Sequence, residues 1–259
     1  MLILRNICVQ LGGTQILDGV TFSLRPHRLT ALVGRNGSGK STLVSCINQQ
    51  IFYTGEILEG EKNLALLAPK ERARTVSILP QMLPAPHITA RQMASFGRNP
   101  YLDFTGRLTA QDVQAVTAAL EEADAADLAE RYVDTLSGGE RQRVALAMIL
   151  AQNTPIAILD EPTAHMDQQY EAAFLQRLTA LKSRKKKTFL VVLHDLTQAV
   201  AYADDLLVLD RGKLVFAGTK EDCLHKEILE QTFGLRRYAF EENGQHRIFF
   251  SADPRMGLR

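Results

Sequence analysis

An α/β fold built on a parallel sheet is what this 259-residue sequence predicts, and three observations carry the prediction. Apolar runs at residues 29–33, 156–159 and 188–193 are bounded by polar residues, as strands covered on both faces should be. A helical pattern at 168–183 separates the last two runs and sets a strand–helix–strand rhythm. The first run passes straight into a glycine-rich loop, and a helical pattern follows from Lys40 to Gln50.

The flanking segments complete the outline. Residues 2–9 and 20–24 alternate as strands around a Gly12-Gly13 turn, and residues 56–59 and 75–79 read as further strands beside a short helical piece at 70–73. Pro80, Pro84 and Pro86 punctuate the chain, and helices then dominate to Gln152. Thr89 and Gln92 have capping-box spacing, and Thr109 opens a helix expected to run through Ala126. The expected organisation is one domain. Residues 1–81 and 153–218 form the α/β core with its β subdomain, and residues 82–152 form an inserted helical subdomain. Residues 206–209 and 214–216 make a hairpin. Residues 219–259 add a helix at 220–232 and a second hairpin turning at Asn243-Gly244.

Composition narrows the function classes. Hydrophobic residues make up 46% and charged residues 23%, which is globular rather than disordered. Thirty basic against 29 acidic side chains leave a net charge of +1, too little for the electrostatic footprint of a duplex-DNA binder. No apolar run approaches the roughly 18–20 residues that cross a bilayer. Residues 1–10 lack the layout of a signal peptide. Cys8, Cys46 and Cys223 form neither a disulfide framework nor a zinc pattern, so a reducing cytoplasm is expected. The basic run Lys182, Arg184, Lys185, Lys186 and Lys187 reads as a solvated loop. His27, His87, His225 and His246 read as surface residues, His165 as a variable loop position, and Met82, Met93, Met148 and Met166 as packing.

The chemistry concentrates in three places. Gly34, Arg35, Asn36, Gly37, Ser38, Gly39, Lys40 and Ser41, followed by Thr42, fit a phosphate-binding loop set between strand and helix. Glycines let backbone amides curl around phosphate oxygens at a helix N-terminus. Lys40 would bridge the β- and γ-phosphates, and the Ser41 hydroxyl would ligate magnesium. Residues 156–159 bury a strand and deliver Asp160 to the magnesium shell, with Glu161 next to polarise a water as general base. Ser137, Gly138, Gly139 and Glu140 form a capping box that exposes helix amides beside two glycines, a second anion-facing cap. One chain needs one phosphate loop, so the second cap points to a nucleotide held between two subunits.

In these residues the sequence resembles the ATP-binding cassette (ABC) ATPases over nearly its whole length. The resemblance implies a P-loop NTPase (RecA-like) core with an N-terminal antiparallel β subdomain and an inserted α-helical subdomain. The stretch Leu136 to Glu140 is similar to the family's signature motif, with Glu140 where glutamine is more usual. Gln81 matches the loop glutamine that touches magnesium and faces the transmembrane partner. Asp167 matches the aspartate of the D-loop, and His194 the switch histidine that senses the γ-phosphate. Leu11 falls where the family commonly places an aromatic residue on adenine. The segment 96–102, with Gly106, Arg107 and Leu108, resembles the ATPases of iron–siderophore and cobalamin importers. Residues 150–155 and 193–196 resemble the ferric-citrate importer's ATPase.

The implied function is ATP hydrolysis in a bacterial importer of iron–siderophore chelates. ATP and Mg2+ would lie between Lys40, Ser41 and Asp160 of one copy and Ser137 and Gly139 of a second, paired head to tail. Polytopic permease subunits, an external substrate-binding protein and the cytoplasmic face of the membrane follow from the same resemblance; nucleic acid does not. Alternatives are a cobalamin or haem importer, an exporter, and a soluble ABC ATPase acting on nucleic acid or ribosomes.

Overall fold

The computed structural model describes residues 1–82, 84–164, 166–242 and 245–252. The chain forms two compact units, residues 1–65 with 190–259, and residues 66–189.

The first unit opens with an antiparallel hairpin. Strand β1 (Leu2–Leu11) turns at Gly12 and Gly13, whose φ angles of 55° and 81° suit a two-residue connection, into β2 (Thr14–Ser23). Leu2 and Leu4 point inward, the register slips between Leu4 and Ile7, and Ile7 and Val9 point inward again. Asn6, at φ 51°, lies within this slip. The extra residue keeps all four apolar side chains on the core face. Next comes β3 (Leu29–Gly34), buried at every position, and then α1 (Lys40–Ile47). This helix is shorter than expected, because Gln49 at φ 60° ends the segment. Strands β4 (Thr54–Glu59) and β5 (Lys62–Asn63) continue the antiparallel sheet from the other edge of β1.

The second unit holds the helical region. Pro69 occupies the first turn of α2 (Pro69–Thr75), where its missing N–H costs nothing, and β6 (Val76–Leu79) follows. Helices α3 (Ala90–Ser95) and α4 (Ala110–Glu122) both begin in capping boxes, at Thr89 and Thr109. The second of these helices stops at Glu122 rather than 126, since Asp124 takes a left-handed φ of 61°. Both pack on α5 (Gly138–Ala151). Strand β7 (Ile156–Asp160) lies parallel to β6, with Val76 opposite Ile156 and Leu79 opposite Leu159. Helix α6 (Gln168–Lys185) leads to β8 (Thr188–Val192).

Here the expectation of a solvated basic loop fails twice: Lys182, Arg184 and Lys185 lie in the last turn of α6, and Lys187 turns inward. Lys187 is buried, and its Nζ donates to the Thr154 carbonyl at 2.6 Å. Burial pushes its ammonium down to about 8. Met82 departs in the opposite sense: it is 84% exposed rather than packed.

The chain completes the first unit with α7 (Leu196–Tyr202), β9 (Asp205–Asp210) and β10 (Lys213–Thr219). Strand β9 is parallel to β3, with Thr30 opposite Asp205 and Gly34 opposite Leu209. The expected single helix over 220–232 is two, α8 (Lys220–His225) and α9 (Ile228–Phe233), broken where Glu227 adopts φ 53°. Strands β11 (Leu235–Glu242) and β12 (Gln245–Ala252) form the last hairpin, and α7 packs on the second of them. Its turn, residues 243–244, lies outside the described residues.

Candidate nucleotide site

The glycine-rich loop takes its shape from residues that cannot be enlarged. A side chain at Gly34 would collide with the Leu209 carbonyl oxygen, and one at Gly39 would lie 2.7 Å from the Leu17 side chain. Gly37 and Gly39 have φ of 76° and 104°, conformations that glycine enters at no steric cost. Lys40 is buried and folds back, its Nζ donating to the carbonyls of Gly34 at 2.8 Å and Arg35 at 3.2 Å. Ser38 Oγ is buried with no hydrogen-bond partner among the described residues, a polar atom left for a ligand. Arg35, Asn36 and Ser41 are exposed and Thr42 is half-buried. A phosphate group fits this loop: left-handed glycines, an orphaned hydroxyl, a buried lysine and the N-terminus of α1 converge on it.

The same unit carries His194 and Leu11. His194 is exposed, just after Leu193, whose N–H donates to the Leu32 carbonyl at 3.1 Å. Asp195 then caps α7 through the amides of Thr197 and Gln198. Leu11 ends β1 and is 49% exposed.

In the other unit β7 delivers Asp160 and Glu161, both buried. Glu161 has a left-handed φ of 50°, and the Gln81 side-chain amide donates to its carboxylate. That contact joins two of the residues predicted from sequence. Asp160 and Gln81 in this unit, and Ser41 in the first, each offer a hard oxygen donor, the type that magnesium prefers.

Ser137 and Glu140 form the expected capping box. The Glu140 N–H donates to Ser137 Oγ at 3.3 Å and the Ser137 N–H donates to Glu140 Oε2 at 2.8 Å. Arg131 Nη1 donates to the other Glu140 oxygen at 2.6 Å. The Ser137 amide and hydroxyl, with Arg131 beyond them, hold the Glu140 carboxyl below its usual range. Glu140 is therefore an anion that locks the loop, and Ser137 stays exposed at the helix start. Among the described residues, a side chain at Gly139 would first meet the Tyr170 ring, at 3.9 Å. Asp167 is exposed and caps α6 by accepting from the Tyr170 N–H at 3.1 Å. His165 lies outside the described residues.

Sequence reasoning missed the supports. Arg131 and Tyr170 are ordinary surface types whose roles depend on folding. The buried pair Arg98–Asp112, at 2.8 Å, carried a weak signal: an acidic residue three positions after the cap Thr109.

Loop, parallel strands, antiparallel β subdomain and helical region define a P-loop NTPase. The ABC transporter family model matches residues 17–164, and the chain belongs to that family. The iron(3+)-hydroxamate import ATP-binding protein FhuC of Bacillus subtilis is 35% identical, over 86% of this chain and 84% of its own. The ferric enterobactin transport ATP-binding protein FepC of Escherichia coli is 37% identical, over 87% of this chain and 84% of its own. A chain of a metal-chelate type ABC transporter solved in an inward-facing conformation superposes with a TM-score of 0.86, at 23% identity and over 99% of both chains. The protein is thus a nucleotide-binding ATPase of a transport system.

Proposed function

We propose that this chain is the ATPase subunit of a bacterial importer of iron–siderophore chelates. The observation that carries the reading is the identity, over most of both chains, to ATP-binding proteins named for ferric hydroxamate and ferric enterobactin transport. Among the described residues no helix is long and apolar enough to cross a membrane, so translocation falls to permease partners. The chain would sit against them on the cytoplasmic face, near Gln81 and the segment Phe96–Tyr101. The exposed Phe96 and Met82 supply apolar surface for that contact.

Lys40 neutralises β- and γ-phosphate charge while the loop amides hold their oxygens. Ser41, Asp160 and Gln81 would hold Mg2+, which supplies charge stabilisation on the transferring phosphoryl group. Glu161 accepts the proton of the attacking water, and His194 orients that water and the γ-phosphate. Ser137 and Gly139 of a second copy close over the same nucleotide, so binding favours a closed dimer and hydrolysis releases it.

Reconstitution with the cognate permease in vesicles tests the cargo. ATP-dependent uptake of a labelled ferric hydroxamate or catecholate supports the proposal, and uptake of cobalamin or haem alone rejects it.

A further inference from the structure

We propose that Arg131 is a positioning residue of the nucleotide site, which pairs with Glu140 and so keeps a bare negative charge off the cap that Ser137 presents to ATP. The inference rests on the reading that a nucleotide held by a second copy meets this cap.

The cap carries a charge that works against its ligand. Glu140 Oε2 accepts from the Ser137 N–H at 2.8 Å, so a carboxylate stands one hydrogen bond from the residue that would meet the γ-phosphate. Two anions brought together without a cation repel, and near a protein surface that repulsion is felt over several ångströms. The capping box itself does not require the charge, because glutamine three positions after the cap closes it as well as glutamate does. The carboxylate of Glu140 therefore needs a partner that offsets it before a phosphate can approach.

Arg131 is that partner, and the helical region holds it in place. Its Nη1 donates to Glu140 Oε1 at 2.6 Å, so each carboxylate oxygen has its own donor. The guanidinium comes from outside α5, on a segment strapped to the start of α3. The Ala90 N–H donates to the Arg131 carbonyl, the Arg91 N–H to that of Ala129, and the Val133 N–H to that of Ile88, each at 2.9 Å. Next to Arg131 the Tyr132 ring stacks on His87, their centres 4.2 Å apart. An exposed ion pair usually contributes little, since two long side chains must be ordered to make it. Here α3 holds the backbone of one partner and the cap holds the carboxylate of the other, so less ordering remains.

The test is steady-state ATP hydrolysis by the full chain, with KM and kcat measured separately. Arg131→Met should raise KM for ATP about fivefold, the upper range for one exposed ion pair, and change kcat far less, the pattern of lost ground-state binding. In a Glu140→Gln background, where no charge needs offsetting, Arg131→Met should move KM by less than about twofold. An unmoved KM in Arg131→Met, or an equal rise in both backgrounds, would overturn the proposal. Ser137→Arg separates that failure from failure of the shared-site reading. If Ser137→Arg hydrolyses ATP like the wild type, the cap meets no nucleotide and both fall. If it stops hydrolysis while Arg131→Met leaves KM unmoved, the role of Arg131 alone falls.

Discussion

The side-chain amide of Gln81 donates to the carboxylate of Glu161, tying the second residue beyond β6 to the first beyond β7. The bond occupies one oxygen of the proposed general base and restrains a residue already held at φ 50°. Glu161→Gln keeps the shape and removes the proton acceptor. Hydrolysis should fall at least ~100-fold, given the 10² to 10⁴ that a general base contributes, while ATP binding persists. Phosphate release and nucleotide binding, measured side by side, check this; near-normal turnover would take Glu161 out of the role.

The second anion-facing cap predicts an arrangement effect. In a linked dimer, Ser137→Arg in one half and Lys40→Ala in the other should damage one shared site doubly and spare the second. Both substitutions in the same half should damage both sites. Equal ATPase rates for the two linked dimers would mean that the nucleotide is not shared between copies.

What was legible in the sequence was what local spacing determines. The loop from Gly34 to Ser41, the acidic pair at the end of β7 and the Ser137–Glu140 box each lie within a few residues, so their geometry follows from chain connectivity. Helix interruptions at Asp124 and Glu227 were not legible, because neither is the glycine that usually marks a left-handed turn. Lys187 and Arg131 were missed for a different reason. Lys187 meets the carbonyl of Thr154, 33 positions away, and no window of sequence reports that contact.

Arg98 and Asp112 make a related case within the helical region. Arg98 donates to Asp112 at 2.8 Å and to the Ala151 carbonyl at 2.8 Å, and its guanidinium lies 3.9 Å from the Tyr101 ring centre. Asp112 also closes the cap of α4, and the Thr109 hydroxyl, the Thr109 amide and Arg98 hold its carboxyl below the usual range. Arg98→Ala leaves a buried carboxylate with one charge partner fewer, so urea unfolding should show a loss of about 3–5 kcal/mol. Because the folded-state value of Asp112 is depressed, its contribution is present above the ordinary carboxylate range and fades as pH falls through the folded value. Asp112→Asn should flatten that acid limb; an unchanged limb would place the acid sensitivity elsewhere.

Lys187 predicts a pH trend of the same sign in an alkaline window. Its folded value of about 8 lies below the ordinary 10.5, so between those limits the unfolded chain holds more protons. Stability from this group therefore rises as pH increases from 8 to 10.5, by about 3 kcal/mol at ~1.4 kcal/mol per unit. Below pH 8 the fold carries the full cost of the buried charge. Unfolding of wild type and Lys187→Met at pH 7.5, 9 and 10.5 should show wild type gaining on the variant across this window. A constant difference between them would mean that the ammonium keeps its ordinary affinity for protons.

Leu11 supplies the last expectation, because the sequence resemblance matches it to a position where the family commonly has an aromatic residue. It ends β1 opposite Thr14, is 49% exposed, and the following turn is held by Gln10 Nε2 donating to the Gly13 carbonyl at 3.2 Å. Phe22 is no substitute: it is 6% exposed and packed in the core of its unit. Leucine can cover one face of a base but offers no π surface, and stacking on an aromatic ring is worth about 1–3 kcal/mol per base. Adenine should therefore contribute little here, with affinity resting on Lys40 and the loop amides. ATP and GTP should bind the wild type within a few-fold of each other. Leu11→Tyr should tighten ATP by roughly thirtyfold, the middle of the stacking range. Its exposed position leaves room for the larger ring, so folding should be unaffected. Equilibrium binding of both nucleotides to both proteins decides the matter. If tyrosine leaves ATP affinity unchanged, Leu11 does not face the base.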